Sequence, residues 1–226
     1  RLFNIQTTFI DRKITRNDEL KELIKLKSDL KGKGKRPVIL HKDRIYGTYA
    51  TIAYYQAAKE IIYQSNKENI NFKYIFVPVG AGMTIAGLIL GLSHLKYKTT
   101  IIGVCTSKNS KYIYNDIIKF VDRGKKYLKI KEFIKENKFL LIDDYVFDNY
   151  GSINNTIVNS IKTFAVNEGI ILDPIYNAKC FSALIESKKY ISIKKNDNIL
   201  FLNTGGFTEL FSYHNLLSQN NVWFSN

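Results

Sequence analysis

The chain has 226 residues, 45% of them hydrophobic and 24% charged, with a formal net charge of +14. That balance predicts a soluble chain with one large core and excludes disorder as its main state; no run reaches the roughly 18 uninterrupted apolar residues of a membrane span. The cationic excess raises nucleic acid as a partner, but Lys and Arg are spread thinly, and the one tight cluster, at 31–36, has the Gly-x-Gly setting of a solvated turn, so nucleic acid is disfavoured.

In chain order, apolar residues at helical spacing predict an amphipathic helix over 17–30, stopped by Gly32 and Gly34. A short strand is predicted at 37–40, a long helix at 48–63 and a buried strand at 74–79. Gly80-Ala81-Gly82-Met83-Thr84 then leads into a helical run over 85–95 and a second strand at 100–105. Strand, glycine turn, helix and strand form a crossover unit. Further helices are predicted at 110–122, 130–137 and 154–166, with a last strand at 199–202, the pair Gly205-Gly206 and a final helix. The alternation predicts an α/β fold with an open, mostly parallel sheet and helices on both faces.

Cys105 and Cys180 lie far apart inside apolar runs, which suits reduced core thiols in a cytoplasmic protein. His41, His94 and His214 are scattered without ligand spacing, so no metal site is predicted.

The glycine turn carries the chemistry. A helix N-terminus presents unpaired N–H groups, and glycines let the backbone curl around a tetrahedral anion, so a phosphate is the natural guest at 80–84, with the Thr84 hydroxyl as an added donor. The bland alternative is a tight turn that packs helix on strand. A dinucleotide is disfavoured, because the sixth position of its fingerprint is Ile85 and the next strand ends in Cys105, Thr106 and Ser107 with no acid for a ribose. The Gly-Lys-Ser or Gly-Lys-Thr of a nucleotide P-loop is also missing from the sequence.

Three stretches, Val-Pro-Val-Gly-Ala-Gly-Met-Thr-Ile-Ala-Gly-Leu at 77–88, Glu-Gly-Ile-Ile-Leu-Asp-Pro-Ile-Tyr at 168–176 and Ile-Leu-Phe-Leu-Asn-Thr-Gly-Gly at 199–206, resemble the D-cysteine desulfhydrase and 1-aminocyclopropane-1-carboxylate deaminase family in order and spacing. The second is the most specific, and weaker similarity extends to Tyr46-Gly47 and to 143–151. The resemblance implies a tryptophan synthase beta-like fold of type II, a pyridoxal 5'-phosphate cofactor, a small amino-acid substrate and pairing as a homodimer. It implies that residues 1–50 are a remnant of the smaller lobe and crossover, and 51–226 the large cofactor-holding domain. Gly80, Ala81, Gly82, Met83 and Thr84 match the family's phosphate cup, although Met83 is bulkier than the residue often found there. Tyr145 and Tyr150 match tyrosines near cofactor and substrate. Glu168 and Thr204 are the two candidates for the pyridine nitrogen, and Thr204 tilts the reading toward the desulfhydrase branch, whereas Asn203 stands where relatives often have histidine.

The family's Schiff-base lysine belongs to an N-terminal Gly-Asn-Lys-type motif that these residues do not match, and without that amine ordinary turnover is not expected. The expectation is thus an N-terminally incomplete relative with no catalytic lysine. Lys67, in Ser65-Asn66-Lys67, comes too late in the order, and Lys42 and Lys179 have no support as its replacement. The alternative is a non-catalytic remnant of the fold that binds a phosphate ligand or a protein.

Overall fold

The computed structural model describes residues 5–9, 15–41, 45–131, 139–148 and 150–219. They fall into two compact units, Arg1–Tyr46 and Gly47–Asn226.

The first unit is built on α1 (Arg16–Gly32). Thr15 caps it, accepting from the Asp18 N–H at 3.2 Å while its own hydroxyl donates to the Asp18 carboxylate at 2.6 Å. The helix ends before Gly34, whose φ of +74° favours glycine. The strand predicted at 37–40 is not formed: Val38 and Leu40 point into solvent, and among the described residues no neighbouring strand offers them a ladder.

The second unit holds a four-stranded, all-parallel sheet in the order β3-β2-β1-β4. The strands are β1 (Phe72–Val79), β2 (Thr100–Cys105), β3 (Phe139–Ile142) and β4 (Asn198–Phe201). Ile75 pairs with Ile101 on one side and Leu200 on the other. Side chains alternate across the sheet, as the two-residue strand period requires. Ile75, Val77 and Val79 pack under α2 (Ile45–Lys67), α3 (Met83–His94) and α4 (Ser110–Leu128); Tyr74 and Phe76 pack with α5 (Asn155–Glu168) and α6 (Asn177–Ile185). The sheet is therefore covered on both faces, which explains its near-continuous apolar strands.

Strand β3 was not among the predicted elements, and α6, the helix that follows the 168–176 stretch, had no predicted bounds. The helix predicted at 130–137 lies mainly outside the described residues; α4 itself stops at Leu128, with Lys129 in the left-handed region. The predicted final helix begins as a tight three-residue-per-turn segment, Phe207–Tyr213, before α7 (His214–Gln219). Among the described residues no helix is long and apolar enough to cross a membrane.

Strand order positions the site. From β1 the chain steps through α3 to β2 and on through α4 to β3, then returns through α5 and α6 to place β4 on the other flank of β1. The crevice beyond the carboxyl ends of β1 and β4 is thus a topological switch point, where open α/β sheets bind ligands.

Candidate functional site

At that crevice β1 runs into Gly80-Ala81-Gly82 and α3. Gly82 is the N-cap, at φ +92°, and no side chain caps α3, so the helix presents its first-turn N–H groups and partial positive charge to the crevice. The Met83 side chain packs against the apolar cluster under α2 to α4, so its bulk is directed to the core. Thr84 is half-buried in the first turn. The Tyr176 ring backs Gly80 closely: a Cβ there would lie 2.9 Å from Cε1 of that ring. The Tyr176 hydroxyl meets that of Tyr150 at 2.8 Å, and burial raises the Tyr176 phenol above its ordinary range.

On the β4 side, Gly205 and Gly206 both have positive φ, +81° and +94°, which lets the chain fold tightly after Thr204. One side chain holds this loop. Asn177 accepts from the Thr204 N–H at 2.9 Å and hydroxyl at 3.3 Å, and donates to the Gly205 carbonyl at 2.7 Å. Asn177 is in turn fixed by Asp173, which accepts from its amide at 2.5 Å. Asp173 also accepts the backbone N–H groups of Ile175, Tyr176 and Asn177 at 3.0, 2.7 and 2.8 Å, so this buried carboxylate closes the start of α6 and orients Tyr176 as well. Tyr213 adds a further tie, donating to the Gly151 carbonyl next to Tyr150.

The structure brings together the 80–84 turn, Tyr150 and Thr204, and leaves two anticipated residues in other company. Tyr145 is buried and donates its hydroxyl to Glu186 at 2.8 Å, within the core of the α5 and α6 face. Glu168 is the exposed last residue of α5, and its carboxylate is given no hydrogen bond or ion pair by the described residues. Lys67 ends α2 in solvent, and Lys42 lies outside the described residues.

The sequence reading missed Asp173, Tyr176 and Asn177 as site residues, and the buried Lys179 behind them. The signal was present in Asp-Pro-Ile-Tyr-Asn, because an Asp three or four residues ahead of a helical run reads as a cap. The shallow hollow lined by Lys188 to Ile193 contains none of these residues.

Residues 3–205 match the family of pyridoxal-phosphate dependent enzymes. The chain is 32% identical over 187 residues to a candidate 1-aminocyclopropane-1-carboxylate deaminase of Pyrococcus furiosus, covering 82% of this chain and 54% of that protein. A solved homologue of 1-aminocyclopropane-1-carboxylate deaminase superposes with a TM-score of 0.80 at 27% identity, over 96% of this chain and 64% of the other. Diaminopropionate ammonia lyase of Escherichia coli shares the fold, with a TM-score of 0.60 at 12% identity over 92% of this chain and 57% of the lyase. The chain thus spans a little over half the length of the curated relative it matches.

Proposed function

The chain belongs to the pyridoxal-phosphate dependent enzymes, with the tryptophan synthase beta-like fold of that family, and from this premise we propose that residues 51–226 form the cofactor-holding domain of a lyase or deaminase acting on a small amino acid. The observation that carries the proposal is the meeting, at the β1/β4 switch point, of an uncapped helix start with a hydroxyl-bearing glycine loop.

Backbone N–H groups from Gly80 to Thr84 would hold the phosphate, and the missing Cβ atoms of Gly80 and Gly82 let the turn pack closely against Tyr176 and Ile117. Thr204 is assigned to the pyridine nitrogen, because Asn177 fixes its backbone and hydroxyl at the crevice, whereas the Glu168 carboxylate stands in solvent. Tyr176 and Tyr150 would line the substrate side, the half-buried Tyr176 phenol staying protonated as a donor at neutral pH. When bound, pyridoxal 5'-phosphate supplies an electron-withdrawing ring that stabilises negative charge on the α-carbon of an amino acid.

Thr204 in Asn-Thr-Gly-Gly supports the D-cysteine desulfhydrase branch as the finer reading. Residues 1–50 are assigned to the smaller lobe and crossover, and pairing as a homodimer is part of the same proposal. The chain by itself is expected to bind cofactor without turning over D-cysteine, since none of its lysines matches the family's Schiff-base motif.

Calorimetric titration of the protein with pyridoxal 5'-phosphate tests the reading. Saturable binding, weakened at least about tenfold by Gly82→Val, is expected. Absence of binding, or equal binding by the variant, would overturn it, and hydrogen sulfide released from D-cysteine by the loaded chain would overturn the expectation of no turnover.

A further inference from the structure

Three connections at the carboxyl edge of the sheet meet on one buried amine. Lys179, in the first turn of α6, has no solvent exposure. Its Nζ donates to the Thr106 carbonyl, at the end of β2, over a long 3.5 Å, and lies 4.7 Å from the centre of the Phe147 ring, in the segment after β3. A fully buried lysine ordinarily faces a carboxylate.

The acids on the surrounding elements are committed elsewhere. Asp173, ahead of α6, is used by its four N–H donors, and Asp143, after β3, accepts from the Ser110 N–H at 2.7 Å. Asp144 accepts from Tyr190 at 2.6 Å, Glu186 from Tyr145 and Lys189, and Asp148 is exposed. Burial pushes the Cys105 thiol to about 12 and the Cys180 thiol upward too, so neither supplies a thiolate. The Tyr145 and Tyr176 phenols are likewise raised, and stay neutral.

Thr106 connects this amine to the anion-seeking turn. Its N–H and its hydroxyl both donate to the Val79 carbonyl, at 3.0 and 3.4 Å, and Val79 directly precedes Gly80. A buried cation short of counter-charge and a helix start that attracts anions are therefore fastened to the same pair of strand ends.

We propose that Lys179 is an anion-responsive positioning residue, which takes up a proton when a phosphate dianion occupies the first turn of α3 and strengthens the hold on that dianion by its charge. The proposal rests on the reading of 80–84 as a phosphate cup. Desolvation lowers the Lys179 amine to about 8, so in the empty protein it loses its proton as the pH rises through that value. A nearby anion favours the charged form, so the occupied protein keeps the proton to higher pH. Between those two values binding must consume a proton, and affinity must fall as the pH rises.

The probe is inorganic phosphate, titrated calorimetrically into the whole chain at about pH 9 in two buffers of different ionisation enthalpy, where phosphate is already a dianion and adds little proton exchange of its own. Uptake approaching one proton is expected, with affinity falling up to about tenfold per pH unit. Both effects should vanish in Lys179→Met, which fills the space of the lysine stem. No uptake by the native chain overturns the proposal without recourse to any variant, and so does uptake unchanged in a folded Lys179→Met protein. If phosphate binds, is weakened by Gly82→Val, and shows no pH slope, the cup stands and the role of Lys179 falls. If phosphate does not bind the native chain, cup and proposal fall together.

Discussion

The two faces of the sheet are packed from different material. Under α2, α3 and α4 the described buried side chains are apolar or carry hydroxyls, and none bears a full charge. Two glycines of α3 let the helices meet at backbone distance: a Cβ on Gly91 would lie 2.5 Å from that of Ala58, and one on Gly87 would run into the Thr51 carbonyl oxygen. The α5 and α6 face instead buries Asp173, Asn177 and Lys179 within seven residues, and pairs Ser160 with Ser182 at 2.6 Å. One face fixes where the ends of β1 and β2 stand. The other raises polar groups to that edge, where an unmatched polar group is costly; Asp173 and Asn177 are matched there, whereas Lys179 has only its long bond to Thr106.

The largest effect is expected from overfilling the first face. Gly87→Val places atoms on the Thr51 carbonyl and within 2.5 Å of Tyr54 Cβ, so a loss of about 3 kcal/mol is expected in urea denaturation. A variant as stable as the native chain would mean that this face is loosely packed and that the contrast is false. On the second face, Asp173→Ala removes the acceptor of four donors, and about 2 kcal/mol of stability should go with it. Because Asn177 then loses its anchor, affinity for pyridoxal 5'-phosphate should also drop about tenfold in the folded fraction, which Gly87→Val does not predict.

The same contrast explains what could be read in advance. Strands β1 and β2 and helix α3 were legible because each carries a continuous apolar run, with β1 and α3 joined by the glycine turn, and the phosphate-cup and Thr204 loops were legible because glycine spacing survives in the sequence. The bounds of helix α6 were not, since its buried side carries Asn177, Lys179 and Ser182, which a hydrophobic pattern assigns to solvent. Strand β3 is four apolar residues at a sheet edge, too short to separate from other apolar runs. The segment 37–40 has a strand's composition without a neighbour to pair with. Roles that depend on burial, such as those of Asp173 and Asn177, cannot be read from residue type, because the same residues on a surface would be ordinary.

A smaller effect is expected where a carboxylate after β3 ties that strand end to the start of α4. Asp143 accepts from the first N–H of α4, and that bond, with a further one from the Ser110 hydroxyl, holds its carboxyl below the usual 3.8. A lowered carboxylate contributes stability at pH values above its ordinary range and loses it as pH falls through the lowered value. Asp143→Asn should therefore cost about 1 kcal/mol at neutral pH and progressively less in acid, measured as the difference in urea midpoint across pH.

The least disruptive change is Tyr145→Phe. The ring stays in the core, and what is lost is the 2.8 Å bond to Glu186 with the weaker interaction of the hydroxyl with Tyr190. Glu186 is 34% exposed and also bound by Lys189, so water and that ammonium recover part of the interaction, and the cost should be about 0.5 kcal/mol. Lys189 first and Tyr145 second hold the Glu186 carboxyl below its ordinary 4.5. Removing the phenol raises it partway, so the deficit should be present at neutral pH and fade as Glu186 protonates in acid. Ligand affinity should not change, because this hydroxyl is spent inside the packing of the second face. If Tyr145→Phe instead weakens binding of cofactor or amino acid while stability stays within that small margin, Tyr145 belongs with Tyr150 at the crevice, and the boundary between packing and site on this face lies deeper than Asp173 and Asn177 place it.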